Sequence, residues 1–219
     1  MQPSVNVIER VQTPRGDIQL QRRGDHYEII SNGTFLMATY NGISEELLVS
    51  AALEKVPHPK RVVIGGLGVG FSLAKALQFT SVQEVKVIEI EKKIIDWNRT
   101  YLSRFSGHAL ENPRTHIIHE DLLKWIVKEE ETYDAICLDI DNGPDWTVTD
   151  SNRHLYQKGS LTRLAEILSP GGVVTFWSAT HSVDFQRLLK TIFPKVIRQT
   201  TSRKKGEDDC VYIAFPPQN

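Results

Sequence analysis

Residues 61–91, RVVIGGLGVGFSLAKALQFTSVQEVKVIEIE, constrain the fold more than any other stretch of the chain. Val62, Val63 and Ile64 form a short β-branched run, which suits a parallel strand buried on both faces. Gly65, Gly66, Gly68 and Gly70 follow at once. FSLAKALQF then sets Phe71, Leu73, Ala74 and Leu77 at helical spacing. A second apolar run, Val85 to Ile90, ends in acid at Glu89 and again at Glu91. Strand, glycine turn, helix and strand make one βαβ unit.

The chemistry follows from that layout. A turn built of glycines lets the backbone approach a ligand where a Cβ would clash. A carboxylate at the end of the next strand, about twenty residues on, is placed to accept both hydroxyls of a ribose. Gly66, Gly68 and Gly70 read as G-x-G-x-G, and Ala74 lies one place past where the last glycine of a dinucleotide fingerprint would fall. No G-K-[ST] follows, which excludes a phosphate-cradling P-loop. The pattern suits a nucleoside without a pyrophosphate: S-adenosylmethionine, its decarboxylated form, or the thioether left after reaction. The competing reading is a turn that only packs helix on strand, and Glu89 weighs against it.

A chain of 219 residues holds one α/β domain and a small appendage. The net charge of −1 gives no sign of a nucleic-acid or membrane-surface partner, and leaves a small cationic substrate open. The two cysteines, Cys137 and Cys210, lie in apolar strand-like runs and read as buried hydrophobes in a reducing compartment. No C-x-x-C and no metal-spaced Cys/His set occurs, so no metal is expected. His116 and His119 flank a short apolar strand and read as strand-end residues. No basic-then-apolar leader and no apolar run of membrane-spanning length is found, and a cytoplasmic protein is the expectation.

Residues 5–40 alternate in the β manner, punctuated by Gly16-Asp17, Gly24-Asp25 and Asn32-Gly33, the last a strong hairpin signal. They predict an antiparallel appendage of three or four strands over 1–42, ahead of a Rossmann-like domain over 43–219. Ser44 reads as the N-cap of a helix running to Val56, with Glu45 and Glu46 in its first turn. A helix over KKIIDWNRTYLSRF leads to a strand at Thr115–His119, with Glu120 and Asp121 at its exit. Asp121 there is able to accept from an adenine amino group, or to cap the following helix. YDAICLDI, residues 133–140, is the next core strand. Asp139 at its end faces the same crevice as the glycine turn, and Asp141, Asp145 and Asp150 make the following loop acidic. A helix from Tyr156 to Leu168, a Pro170-Gly171-Gly172 turn, strand VVTFWSA, a helix from His181 to Phe193 and two strands joined by the charged loop SRKKGEDD complete the chain. The count is seven core strands, mostly parallel with one antiparallel strand at the end, the layout of the methyltransferase-type α/β fold.

In the order IGGLGVG, VIEIE, HEDLLKWI, YDAICLDIDNGP and LSPGG, behind a β appendage, the sequence resembles the spermidine/spermine synthases. The resemblance implies decarboxylated S-adenosylmethionine as co-substrate. It also implies attack by a polyamine nitrogen on the methylene carbon beside the sulfonium, and a homodimer. It implies that Glu89 binds the ribose hydroxyls, Asp121 the adenine amino group, and that Asp139 deprotonates and orients the amine. An ammonium is no nucleophile, so a nearby carboxylate must take its proton. The chain departs from the family at three places. Gly68 stands where the family has an Asp for the donor's amine. Asn142 stands where it has a second, polyamine-holding Asp, and Ser44-Glu45-Glu46 lacks its Tyr. Asp141 and Glu45 are the candidates to compensate on the acceptor side. Two other readings are a methyltransferase using S-adenosylmethionine on an unread acceptor, and a non-catalytic protein that kept the fold.

Overall fold

The computed structural model describes residues 4–147, 149–201 and 208–217. The charged loop expected at 202–209 lies outside the described residues over 202–207, as does the Asp150 side chain.

The amino-terminal region is a four-stranded antiparallel meander: β1 Val5–Thr13, β2 Gly16–Arg23, β3 His26–Ser31 and β4 Thr34–Ala38. The β3–β4 hairpin turns at Asn32 and Gly33, with φ of 49° and 76°. Two consecutive positive φ values are what a tight hairpin needs, and Asn-Gly is the pair that supplies them at least cost. A register shift between Ile29 and Ile30 bends β4 against β3.

The remaining chain builds a seven-stranded sheet in the order β10-β11-β9-β8-β5-β6-β7. Its elements are α1 Ile43–Leu53, β5 Arg61–Gly65, α2 Phe71–Leu77, β6 Glu84–Glu89, α3 Lys92–Arg99, β7 Thr115–His119, α4 Leu122–Lys128, β8 Tyr133–Leu138, α5 Lys158–Glu166, β9 Leu168–Ser178, α6 Val183–Lys190, β10 Lys195–Thr201 and β11 Asp209–Phe215. β5 pairs parallel with β6 and β8, and β6 with β7, whereas β11 inserts antiparallel between β9 and β10.

Strand periodicity decides the layering. Val62, Ile64, Val85, Val87, Ala135 and Cys137 share one apolar core with α1, α2 and α3. Val63, Ile88, Ile136, Leu138, Val174 and Phe176 share the other with α4, α5 and α6. Successive residues on one strand thus bury on opposite faces. Cys137 and Cys210 are free and buried, and burial pushes the Cys137 thiol up to about 12. Ile18, Leu20 and Ile29 of the amino-terminal sheet join the first core, so that sheet packs on the main one. Polar contacts fix its placement: Trp97 Nε1 and Lys93 Nζ both donate to Glu9, at 2.7 and 2.5 Å. Among the described residues no helix is long and apolar enough to cross a membrane.

Several boundaries differ from the sequence expectation. Gly42, not Ser44, is the N-cap of α1, and Ser44 instead donates to Glu45 Oε2 at 2.9 Å. A Cβ on Gly42 would lie 2.5 Å from the Phe71 ring, so close packing against α2 puts the helix start there. α3 stops at Arg99, and short 3-10 turns at Ser103–Ser106 and Ala109–Glu111 replace the rest of the expected helix. α5 begins at Lys158 behind a 3-10 turn at Asp150–Tyr156. Pro170-Gly171-Gly172 lies within β9 rather than before it. The register with β8 jumps from Tyr133↔Leu168 to Ala135↔Val173, and the glycines fill the bulge. α6 runs from Val183 with Ser182 accepting from the Phe185 N–H at 3.2 Å, two residues later than the pattern suggests.

Candidate active site

The carboxyl ends of β5, β6, β7 and β8 open onto a cavity of about 490 Å³. Open α/β sheets bind ligands at this edge. The β5 turn is shaped by its neighbours. Gly66 N–H donates to Ile88 O at 2.9 Å and Asp139 N–H donates to Gly65 O at 2.9 Å. At Gly66, φ is 90° and a Cβ would lie 2.3 Å from the backbone oxygen of Asp139. No larger residue fits while the β5 and β8 exits stay that close.

Of the four glycines expected to contact a cofactor, Gly66 and Gly68 line the cavity. Gly65 and Gly70 are not among its lining residues. A Cβ on Gly65 would strike Leu138 and Leu122, and Gly70, at φ 92°, caps α2 against Ser106 and Asn98. These two are glycine for packing reasons.

Gly68 meets a residue that the sequence reading missed. Met37, from β4, places Sδ 2.6 Å from where a Gly68 Cβ would be, and its sulfur accepts from the Val69 N–H at 3.0 Å. Asn98 was missed as well. Its Nδ2 donates to Gly68 O at 2.7 Å and to Ile94 O at 2.9 Å, bracing the turn from α3.

Glu89 closes the turn on its other side. It is buried, and its oxygens accept from Leu67 N–H at 2.8 Å and Glu91 N–H at 2.7 Å. Burial pushes its pKa above the usual carboxylate range, against the pull of those N–H donors. Arg15, from the β1–β2 turn, reaches over to donate to Glu91 Oε1 at 2.7 Å and Ile90 O at 2.8 Å. Asp121 lines the cavity and is the N-cap of α4, accepting from Leu123 N–H at 2.9 Å.

Asp139 and Glu45 line the same cavity. The Asp139 side chain accepts no hydrogen bond among the described residues. Burial raises its pKa well above the ordinary value, and the charges of Glu45, Asp209 and Glu89 add to the effect. Asp141 sits at φ 58° and accepts from Asn152 Nδ2 at 2.6 Å. Asn142 accepts from Ala179 N–H through its backbone oxygen at 3.0 Å. Tyr156 donates to Ile140 O at 2.7 Å, and Ser182 Oγ to Asp145 at 2.9 Å, which holds the loop over the cavity. Among the described residues seven carboxylates line the space, at Glu45, Glu89, Glu91, Glu120, Asp121, Asp139 and Asp141, against the guanidinium of Arg15. Such a cavity attracts cations. Among the described residues no three or more His, Cys, Asp or Glu side chains are grouped to hold a metal ion.

The sheet order, the glycine turn and the acid that closes it define a Rossmann-like protein of the methyltransferase type. Structural comparison agrees. Spermidine synthase from Thermotoga maritima superposes with a TM-score of 0.81 over 95% of this chain and 72% of its own, at 20% identity. A spermidine synthase crystallised with the transition-state analogue AdoDATO matches with a TM-score of 0.80, also at 20% identity, over 95% of this chain and 73% of its own.

The spermine/spermidine synthase domain model matches residues 42–200, and the chain belongs to that family. Sequence relatives include a polyamine aminopropyltransferase from Saccharolobus islandicus, 34% identical over 146 residues, covering 66% of this chain and 47% of that one. A putrescine N-methyltransferase 2 from Nicotiana attenuata is 26% identical over 177 residues, covering 76% of this chain and 46% of that one. The chain spans about half the length of the curated relatives it matches.

Proposed function

We propose that the cavity binds an S-adenosylmethionine-type nucleoside and catalyses transfer of an aminopropyl group from decarboxylated S-adenosylmethionine to an amine, with Asp139 as base. The observation that carries this reading is the convergence of Glu89, Asp121 and Asp139 on one acidic cavity beside the glycine turn. Both co-substrates are cations, which seven carboxylates favour, and the donor lacks the carboxylate that such a cavity would repel. Relatives named polyamine aminopropyltransferase support the same direction.

In this reading Glu89 receives the ribose hydroxyls and Asp121 the adenine amino group. The amine lone pair attacks the methylene carbon, the C–S bond breaks with its electron pair to sulfur, and the sulfonium becomes a neutral thioether. The nitrogen sheds its proton to Asp139. A carboxylate whose pKa lies above the usual range is closer to the operating pH and is a stronger base than an ordinary aspartate. Asp141, Asn142 and Glu45 are the acceptor-side residues. A cytoplasmic homodimer belongs to the same reading.

Methyl transfer from S-adenosylmethionine is the second reading. It is favoured by Gly68, where a carboxylate for the donor's amine is absent and Met37 fills the space, and by the relative named putrescine N-methyltransferase. Thermal-shift titrations with both donors and with methylthioadenosine, on wild type and Glu89→Ala, separate the two. A ligand at a hundredfold excess over its Kd adds about 2.7 kcal/mol of stability. A larger shift with the decarboxylated donor, lost in Glu89→Ala, supports aminopropyl transfer. A larger shift with S-adenosylmethionine supports methyl transfer. No shift with any of them overturns both.

A further inference from the structure

The glycine turn is covered from the amino-terminal sheet, and the cover bears on the donor. Most backbone N–H groups of the turn are engaged. Gly66 donates to Ile88 O, Leu67 to Glu89, Gly70 to Leu67 O, and Val69 to Met37 Sδ at 3.0 Å. Gly68 N–H has no partner among the described residues. Gly68 and Met37 line the cavity, whereas Val69 is fully buried. Successive backbone N–H groups in a turn make a concavity that takes an anion. Here the second of the pair is covered by a thioether, a weak acceptor. Backbone conformation does not explain the glycine, since φ of 52° at Gly68 lies in the left-handed region that Asn and Asp also enter. What a Cβ there would meet is Met37, with Sδ at 2.6 Å and Cε at 2.9 Å. Met37 thus withholds one N–H from the cavity and keeps position 68 bare.

We infer that Met37 is a specificity-determining residue that selects the substituent on the donor's sulfur. With the ribose at Glu89, whose partner is Leu67 N–H, the substituent passes the next residue, Gly68. There it meets a thioether instead of a seat of two N–H groups for a carboxylate. An aminopropyl tail has no carboxylate and loses nothing at this wall. The carboxylate of S-adenosylmethionine is left with one donor in a cavity that already repels it. The inference rests on the nucleoside reading and narrows it toward the decarboxylated donor.

The test is calorimetric titration of S-adenosylmethionine, decarboxylated S-adenosylmethionine and methylthioadenosine into wild type, Met37→Ala and Met37→Leu. Each Kd is expressed relative to that of methylthioadenosine, which carries no charged tail. On that scale Met37→Ala should tighten S-adenosylmethionine by about tenfold or more, the effect of one added hydrogen bond to a charged group, and leave the decarboxylated donor within about threefold. Met37→Leu keeps bulk over the Val69 N–H and should stay near wild type. Met37→Val, short of the turn and suited to a strand, carries the same expectation as the alanine variant should that one unfold. Gly68→Asp in the Met37→Ala background should do the converse, tightening the decarboxylated donor by about tenfold and reversing the gain for S-adenosylmethionine. An S-adenosylmethionine ratio unmoved by Met37→Ala and Met37→Val, or moved as far by Met37→Leu, overturns the inference while methylthioadenosine binding leaves the nucleoside site standing. Failure of methylthioadenosine to bind wild type overturns the nucleoside reading and the inference together.

Discussion

Glu89 and Asp139 are carboxylates at the exits of β6 and β8, the strands on either side of β5, and their surroundings are opposite. Glu89 is 5% exposed and spends both oxygens on backbone N–H groups of the turns beside it. Asp139 has no such donors among the described residues and faces Glu45, Asp209 and Glu89. Both have raised pKa values, but Glu89 is also held down by its N–H partners, whereas burial and the neighbouring negative charges all push Asp139 up. A carboxylate satisfied by backbone is a fixed wall of a binding site. A carboxylate surrounded by like charge gains most from an arriving cation and from a proton, which suits chemistry.

The largest effect is therefore expected at Asp139. Asp139→Asn should lower kcat by about 10²–10⁴-fold, the range for a lost general base. The methylthioadenosine thermal shift should survive. Retained turnover with lost nucleoside binding would reverse the roles of the two acids. Glu89→Gln should do the opposite. Hydrogen bonds to a charged group contribute about 1.5–3 kcal/mol, or roughly 10–150-fold in nucleoside Kd. Calorimetric titration with methylthioadenosine reads this directly, and an unchanged Kd would remove Glu89 from the nucleoside site.

The same contrast has a pH signature. Both groups have folded-state pKa values raised above their ordinary values of 3.8 and 4.5. Each contributes stability that is fully present below its unfolded pKa and is lost as pH rises through the folded value, because ionisation then opposes folding. Asp139→Asn should therefore be more stable than wild type at neutral and alkaline pH, with the gain vanishing toward pH ~4. Glu89→Gln should gain less, since a neutral amide offers its backbone donors a weaker acceptor. Melting temperatures across that pH range check both. An Asp139→Asn gain that grows on acidification would contradict the assigned direction.

A smaller effect belongs to Asn98, which holds the glycine turn without lining the cavity. Loss of a buried amide that serves two carbonyls costs about 1–3 kcal/mol. Asn98→Ala should lower the melting temperature and weaken nucleoside binding, while the acceptor KM stays near wild type. A variant that loses stability alone would make Asn98 structural and leave the turn indifferent to it.

Asn98 and Met37 also show where a sequence stops being readable. The βαβ unit is local: β-branched strand, glycine turn and strand-end acid fall within one continuous stretch, and each residue type has its own backbone reason. Glu89 and Asp139 were legible because strand ends at one sheet edge share a crevice by topology alone. Met37 carries no such signal. Its contact with Val69 crosses 32 positions and depends on how the amino-terminal sheet docks. Asn98 reaches Gly68 across 30 positions from what reads as an ordinary helix. Gly65 and Gly70 mislead in the other direction, since a motif does not say which glycines face a ligand and which face Leu138 or Asn98. The Pro170-Gly171-Gly172 turn reads as a strand boundary until its pairing with β8 shows a bulge.

The smallest expected effect is at Arg15, and it sharpens the contrast most finely. Arg15 is the one cation lining the cavity among the described residues, and it engages Glu91 and Ile90 O beside Glu89. Both partners of the ion pair keep some solvent contact, with side chains 29% and 15% exposed. The pair is therefore screened, and its loss should cost about 0.2–1 kcal/mol, the range of exposed pairs. Arg15→Ala should weaken methylthioadenosine binding at most about fivefold by that arithmetic, with the difference shrinking as salt is raised. It should leave the kcat of amine transfer unchanged, because Arg15 belongs to the Glu89 end. A fall in kcat instead, with nucleoside affinity intact, would mean that the field of this guanidinium reaches Asp139. The two ends of the cavity would then be one electrostatic unit rather than a binding wall and a separate base.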